Sequence, residues 1–268
     1  MQNEAYKLTG FTAVISALGF LLRWLQNMNI IEKDTGLAVR GTVISGLVVA
    51  LIVIVAVVLI GYTIYLRRYD VSVVPEEALA GHNFLFTVFG VVVVLLLAAG
   101  GVMQLLQAGS MTWPVAHRIC GIGALAGALG TLLLVNGMAD PAKAGVRRVA
   151  ASLVVLFGAL WLITVYKDAA ADPVIWRFAI EILAVCSALI AFYYLAGYQF
   201  GEPKPMITIF FCYFGAFLCV VSAIDEHTLA DSVCYAASAL MLFVWGSVLV
   251  SNLKKAGGPL KLDDELKK

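Results

Sequence analysis

The chain has 268 residues, 62% hydrophobic and 13% charged, with a formal net charge of +1 and a mean hydropathy of +0.96. Soluble domains carry about 25% charged and about 45–50% apolar residues, so this chain has too few ionic side chains to cover a soluble globule. The same numbers exclude disordered, collagen-like and disulfide-scaffold classes, and the near-neutral balance leaves no basis for nucleic acid as a partner.

A spanning helix needs about 20 mostly apolar residues. Eight segments qualify in chain order: 8–30, 41–66, 83–107, 115–138, 148–166, 174–199, 205–224 and 229–252. None shows β-barrel alternation, so the fold class is all-α, a single multi-pass transmembrane bundle over 1–253 with a short charged tail over 254–268. The first segment lacks a small-x-small cleavage site and reads as a retained helix rather than a signal peptide. The third is preceded by Pro75-Glu76-Glu77, which predicts an early helix start beyond the membrane. Trp113-Pro114 opens the fourth segment, Asp172-Pro173 the sixth, and Gly201-Glu202-Pro203-Lys204-Pro205 separates the sixth from the seventh. The five cysteines lie in apolar stretches without CxxC and read as buried thiols.

Eight spans put both termini on one side. That side receives twelve of the 18 basic residues (Lys7, Arg67, Arg68, Lys143, Arg147, Arg148, Lys204, Lys254, Lys255, Lys261, Lys267, Lys268), against Lys33, Arg40, Arg118 and Lys167 opposite. The positive-inside rule then makes both termini cytoplasmic. Trp24, Trp113, Trp161 and Trp176 are expected near the outer interface, and Tyr62, Tyr65, Tyr69, Tyr194 and Tyr198 near the inner one.

The informative residues are ionisable groups within spans, each costly in lipid without a partner or water. Arg23 lies in the first segment, Arg177 and Glu181 in the first turns of the sixth, and His117 and Arg118 at the start of the fourth. All five fall in the same outer half. Arg177 and Glu181 are one turn apart. Arg23 leans toward the membrane interior and needs a carboxylate, for which Glu181 is the candidate. One reading is an Arg23–Glu181–Arg177 network locking two helices. The other is an outward-facing, net-positive pocket for a small anionic or zwitterionic solute. Gly123 and Gly127 form a GxxxG face in the fourth segment, suited to close contact with a neighbouring helix.

Catalytic and cofactor signatures are not found. His82 and His117 fall at opposite depths, which disfavours a bis-histidine haem. There is no HExxH, zinc spacing, nucleophile motif, Walker motif or intraspan lysine in the last two segments. The expectation is a non-enzyme without metal or cofactor.

The stretch from Asp172-Pro173 through Glu181, Leu183-Ala184, Tyr193-Tyr194, Ala196-Gly197 and Phe200-Gly201 resembles a pattern in uncharacterised polytopic membrane proteins of clostridial-type bacteria. The Glu32-Lys33-Asp34-Thr35-Gly36-Leu37 loop is similar to the turn after their first helix. The resemblance implies a bacterial plasma membrane and a single-domain bundle; no activity or substrate comes with it. Two functions remain in view: a small-solute permease or solute-binding protein using the outer cluster, and a structural or sensory component. The second would act through a membrane or cytoplasmic protein partner at the 67–83 connection and the tail, whose lysines also suit anionic lipid.

Overall fold

The structure, a computed structural model, describes residues 2–29, 43–70, 75–81, 84–137, 140–171, 178–225 and 228–255. Its elements in chain order are α1 (Gln2–Asn29), α2 (Val43–Leu66), β1 (Tyr69–Asp70), α3 (Pro75–Ala78), α4 (Phe84–Gln107), α5 (Pro114–Gly137), α6 (Ala144–Ala171), α7 (Ala179–Gln199), α8 (Pro205–Ser222), α9 (Leu229–Ser251) and β2 (Lys254–Lys255). Eight of these helices are long and apolar enough to span a membrane.

The helix limits follow from local chemistry. Proline stands at the first position of α5 and α8, where its missing N–H costs nothing. Thr228 caps α9, accepting from the Asp231 N–H at 3.2 Å and donating to Asp231 Oδ2 at 2.6 Å. After α7 the chain turns at Gly201 with φ of +81°, a conformation that glycine adopts without strain. The expected early start of the third span takes a different form. Pro75–Ala78 is an isolated turn, and Leu79–Gly81 follow it outside any helix. Asn252 Nδ2 donates to the Ala78 and Ala80 carbonyls at 3.0 and 3.2 Å. This holds the non-helical backbone where lipid would leave it unsatisfied.

α4, α5, α6, α7, α8 and α9 pack in sequence, and α9 closes back on α4, forming a six-helix ring. α1 lies outside the ring in the groove of α8 and α9, and α2 packs on α1 and α8. Each seam of the ring carries a glycine at a close approach. These are Gly101 against Gly121 (α4–α5), Gly123, Gly127 and Gly130 against α6, Gly158 against α7, Gly215 against the Ala188 backbone, Gly246 against α8 and Gly100 against α9. The expected GxxxG pair thus faces Leu160 and Phe157 of α6.

Side chains meet across the ring at two places. Trp161 of α6 and Tyr235 of α9, which are not neighbours in the ring, meet with ring centroids 4.7 Å apart. Thr131 of α5 lies 3.8 Å from the sulfur of Met241 on α9. Trp161 and Tyr198 are fully buried, so neither belongs to the interfacial belts expected for them. Trp161 is buried because α6 runs to Ala171, five residues past the expected end.

The seams make a stability prediction. A Cβ on Gly130 would sit 2.5 Å from the Ala150 carbonyl oxygen, whereas Gly61 on α2 has open space around it. Gly130→Val is expected to destabilise the purified protein by about 1–3 kcal/mol. Gly61→Val should leave its thermal midpoint near wild type.

Candidate functional site

The far end of the bundle, opposite both termini, holds two polar clusters rather than one. The first ties α1, α2 and the α8–α9 connection. Arg23 Nε donates to Asp225 Oδ1 at 2.6 Å, and Nη1 donates to Gln26 Oε1 at 3.0 Å. Asn27 Nδ2 donates to Asp225 Oδ1 at 3.0 Å and to the Ile224 carbonyl at 3.4 Å, and Gln26 Nε2 reaches Ser45 of α2 at 3.1 Å. The side chains of Arg23 and Asp225 are only 6% and 4% exposed. The partner of Arg23 is therefore Asp225, not the expected Glu181, because α1 packs outside the ring and α7 is not its neighbour. Asp225 falls just past the expected end of the seventh span, in the connection to the eighth. The 223–227 connection is too short to carry it away from the α8 terminus, a limit that the Thr228-x-x-Asp231 capping pattern already signals. Asp225 Oδ2 and Asn27 Oδ1 are buried without partners.

The second cluster lines the interior of the ring. His117 of α5 is buried, with Nε2 3.1 Å from Asp168 Oδ2 of α6. Gln104 Nε2 of α4 donates to Asp231 Oδ1 of α9 at 2.9 Å. Cys120 sits beside Thr164 and Gln104. Glu181 of α7 is buried, and Glu181, Asp231 and Asp225 all act electrostatically on Tyr235. Three buried polar atoms on three helices have no partner: Gln104 Oε1, Trp161 Nε1 and Ser238 Oγ. Ser238 lies one turn from Tyr235 and shares its helix face with Met241 and Trp245, which face the interior.

The five expected site residues are thus divided. Arg23 belongs to the outer cluster, while His117 and Glu181 belong to the ring. Arg118 lies on the exposed face of α5 with Ile119 and Ile122, away from both. Arg177 lies outside the described residues, as does His82. Among the described residues the ring end holds the carboxylates of Glu181, Asp231 and Asp168 with His117, and Arg177, one of the three arginines expected there, lies outside them.

The opposite end contains a buried charge that sequence reasoning treated as a loop cation. Arg147 of α6 is 1% exposed, and its Nη1 donates to the Gly137 carbonyl at 3.2 Å and to the Asp140 carbonyl. Its Nε donates to Gln199 Oε1 at 3.1 Å. A cation at the C-terminus of α5 meets the negative end of the helix dipole, which compensates its burial.

A ring of spanning helices with its polar groups turned inward defines a multi-pass helical membrane protein. No protein-family model, curated protein or solved structure matches the chain.

The Arg23–Asp225 pair has a measurable signature. Removing one member of a buried pair strands the other, at a cost of about 3–5 kcal/mol, whereas replacing both with apolar residues is near neutral. Arg23→Met and Asp225→Leu are each expected to lower the thermal midpoint sharply, and the double variant to recover most of the loss.

Proposed function

We propose that this protein binds a small solute inside the far end of the six-helix ring, as a permease or a solute-binding membrane protein. The observation that carries the reading is the set of unpartnered polar atoms in the ring: Gln104 Oε1, Trp161 Nε1 and Ser238 Oγ. Each costs about 1–3 kcal/mol if left unsatisfied; Gln104 Oε1 takes a donor, the Trp161 N–H takes an acceptor, and Ser238 Oγ takes either. With Glu181, Asp231 and Asp168 at the same end of the ring, the fitting solute is a small ammonium that also carries a hydrogen-bond acceptor for the Trp161 N–H, of the ethanolamine type. This revises the anionic or zwitterionic solute expected from the arginines, since Arg23 is held by Asp225. The Arg23–Asp225 cluster then serves as an interhelical lock.

The same reading assigns no catalytic role. It takes the membrane as a bacterial plasma membrane, which the resemblance of the sixth segment supports, with both termini cytoplasmic, which the asymmetry of basic residues supports.

A second reading, a structural or sensory component, is favoured by a different observation. The two regions expected to meet a cytoplasmic partner are joined. Tyr69–Asp70 pairs antiparallel with Lys254–Lys255, and Asn252 holds the Ala78 and Ala80 carbonyls. A partner gripping one would read both.

Thermal shift of the purified protein separates the two. Ethanolamine is expected to raise the midpoint of wild type and methylammonium to raise it less, with acetate at equal concentration giving no shift. Glu181→Gln should abolish the ammonium response while the Arg23→Met/Asp225→Leu double variant retains it. A response to acetate alone, or an undiminished ammonium response in Glu181→Gln, would overturn the proposed site. No shift with any of the three favours the second reading.

A further inference from the structure

A cavity at the terminal end, outside the ring, has no part in the proposed solute site. It is a cleft of about 370 Å³ between α1 and α4, floored by α9. α1 and α4 each pack on α9 but not on one another, so the cleft opens sideways, toward lipid. Phe86, edge-on to Trp245 with centroids 5.2 Å apart, walls it off from the ring interior.

Its chemistry is graded along its length. The deep walls are Phe89, Phe243 and Val244, whereas Gln2, Ser251 and Asn252 stand at the end where the helices terminate. The two hydroxyls lying deeper are already satisfied. Thr9 shares a 2.8 Å hydrogen bond with Tyr213, and Ser247 donates to the Val244 carbonyl at 2.8 Å. The deep part thus offers an occupant apolar contact and the rim offers it polar groups.

Shape decides between occupants. From Leu240 to Asn252 the floor runs 12 residues, about 18 Å of helix. A helix with side chains is about 10–12 Å across and would fill on the order of 1,500 Å³ over that length, more than the roughly 1180 Å³ of space between the lining atoms, so a helix from a second copy is too thick for the cleft. Residues 256–268 are no better suited, because six of these 13 residues (Lys261, Asp263, Asp264, Glu265, Lys267, Lys268) are charged. A single acyl chain is thin enough, apolar enough and supplied by the bilayer at the opening. We infer that the α1–α4–α9 cleft binds one acyl chain of a membrane phospholipid, with its headgroup beside Gln2, Ser251 and Asn252.

Native mass spectrometry of the full chain, released from detergent after extraction from membranes, tests this. Wild type is expected to retain one phospholipid per chain at collision energies that strip detergent. After delipidation, added dioleoylphosphatidylglycerol should restore that adduct and raise the thermal midpoint. Ser247→Trp fills the floor and should lose both effects. Leu85→Trp acts from the exposed wall (59% exposed) and keeps the test valid if the floor variant does not fold. Val57→Trp, on the lipid-facing side of α2 (63% exposed), should behave as wild type. Absence of a retained lipid in wild type, or equal retention in Leu85→Trp and Val57→Trp, would overturn the inference. A free amphiphile as the true occupant would appear as an adduct of lower mass than any bilayer phospholipid and would equally overturn it.

Discussion

Lipid tails are as apolar as leucine, so hydrophobic burial does little to hold spanning helices together; close packing must do it. The ring depends on that constraint. A glycine at every seam lets neighbouring helices approach until backbone meets backbone, as at Gly101–Gly121 and at Gly215 beside Ala188. The resulting ring is narrow enough for Trp161 and Tyr235 to meet across it. Larger side chains at the seams would widen it and strip those aromatics of their contacts. The polar groups at the far end are likewise held at fixed separations because the seams beneath them cannot slide.

Within that frame the charges divide by position. α1 is a peripheral helix, so Arg23 finds its carboxylate in the nearest connection, Asp225, and the pair fastens α1 to α8. The ring keeps its own carboxylates, Glu181, Asp231 and Asp168, around His117, Gln104 and Tyr235. At the other end Arg147 donates to backbone carbonyls of a helix terminus. Two of these three buried groups, Arg23 and His117, thus meet aspartates and the third, Arg147, meets backbone carbonyls, each set by what the local chain path brings near.

The eight helices were legible in the sequence because membrane hydropathy is a strong, local signal over some 20 residues. Limits marked by proline, as in α5 and α8, were legible to within a residue. The end of α6 was not, because Lys167 and Asp168 read as loop charges while in fact forming its last turns. The depth of Arg23 and the need for a carboxylate could be reasoned from one helix alone. Its partner could not, since that depends on which helix lies beside α1, and ring order leaves no mark in local hydropathy. Gly123 and Gly127 were visible as a motif, but Gly100, Gly101, Gly215 and Gly246 serve the same purpose without any repeating spacing. Ser238 and Trp161 gained meaning only once their helices were placed around a common axis.

The position of α9 in the ring has a consequence for assembly. It is the last helix of the described chain, yet it stands between α4 and α8 and supplies Tyr235, Ser238, Met241 and Trp245 to the interior. Chains are made from the N-terminus, and earlier parts begin to organise first. During synthesis α4 to α8 therefore form an open arc whose inner face, with Glu181, His117 and Gln104, remains uncovered. The arrival of α9 closes the arc and provides the cap at Thr228 and the carboxamide at Asn252 that latches the Ala78–Ala80 backbone. Completion of the polar interior and closure of the terminal end are thus a single late event, performed by one helix.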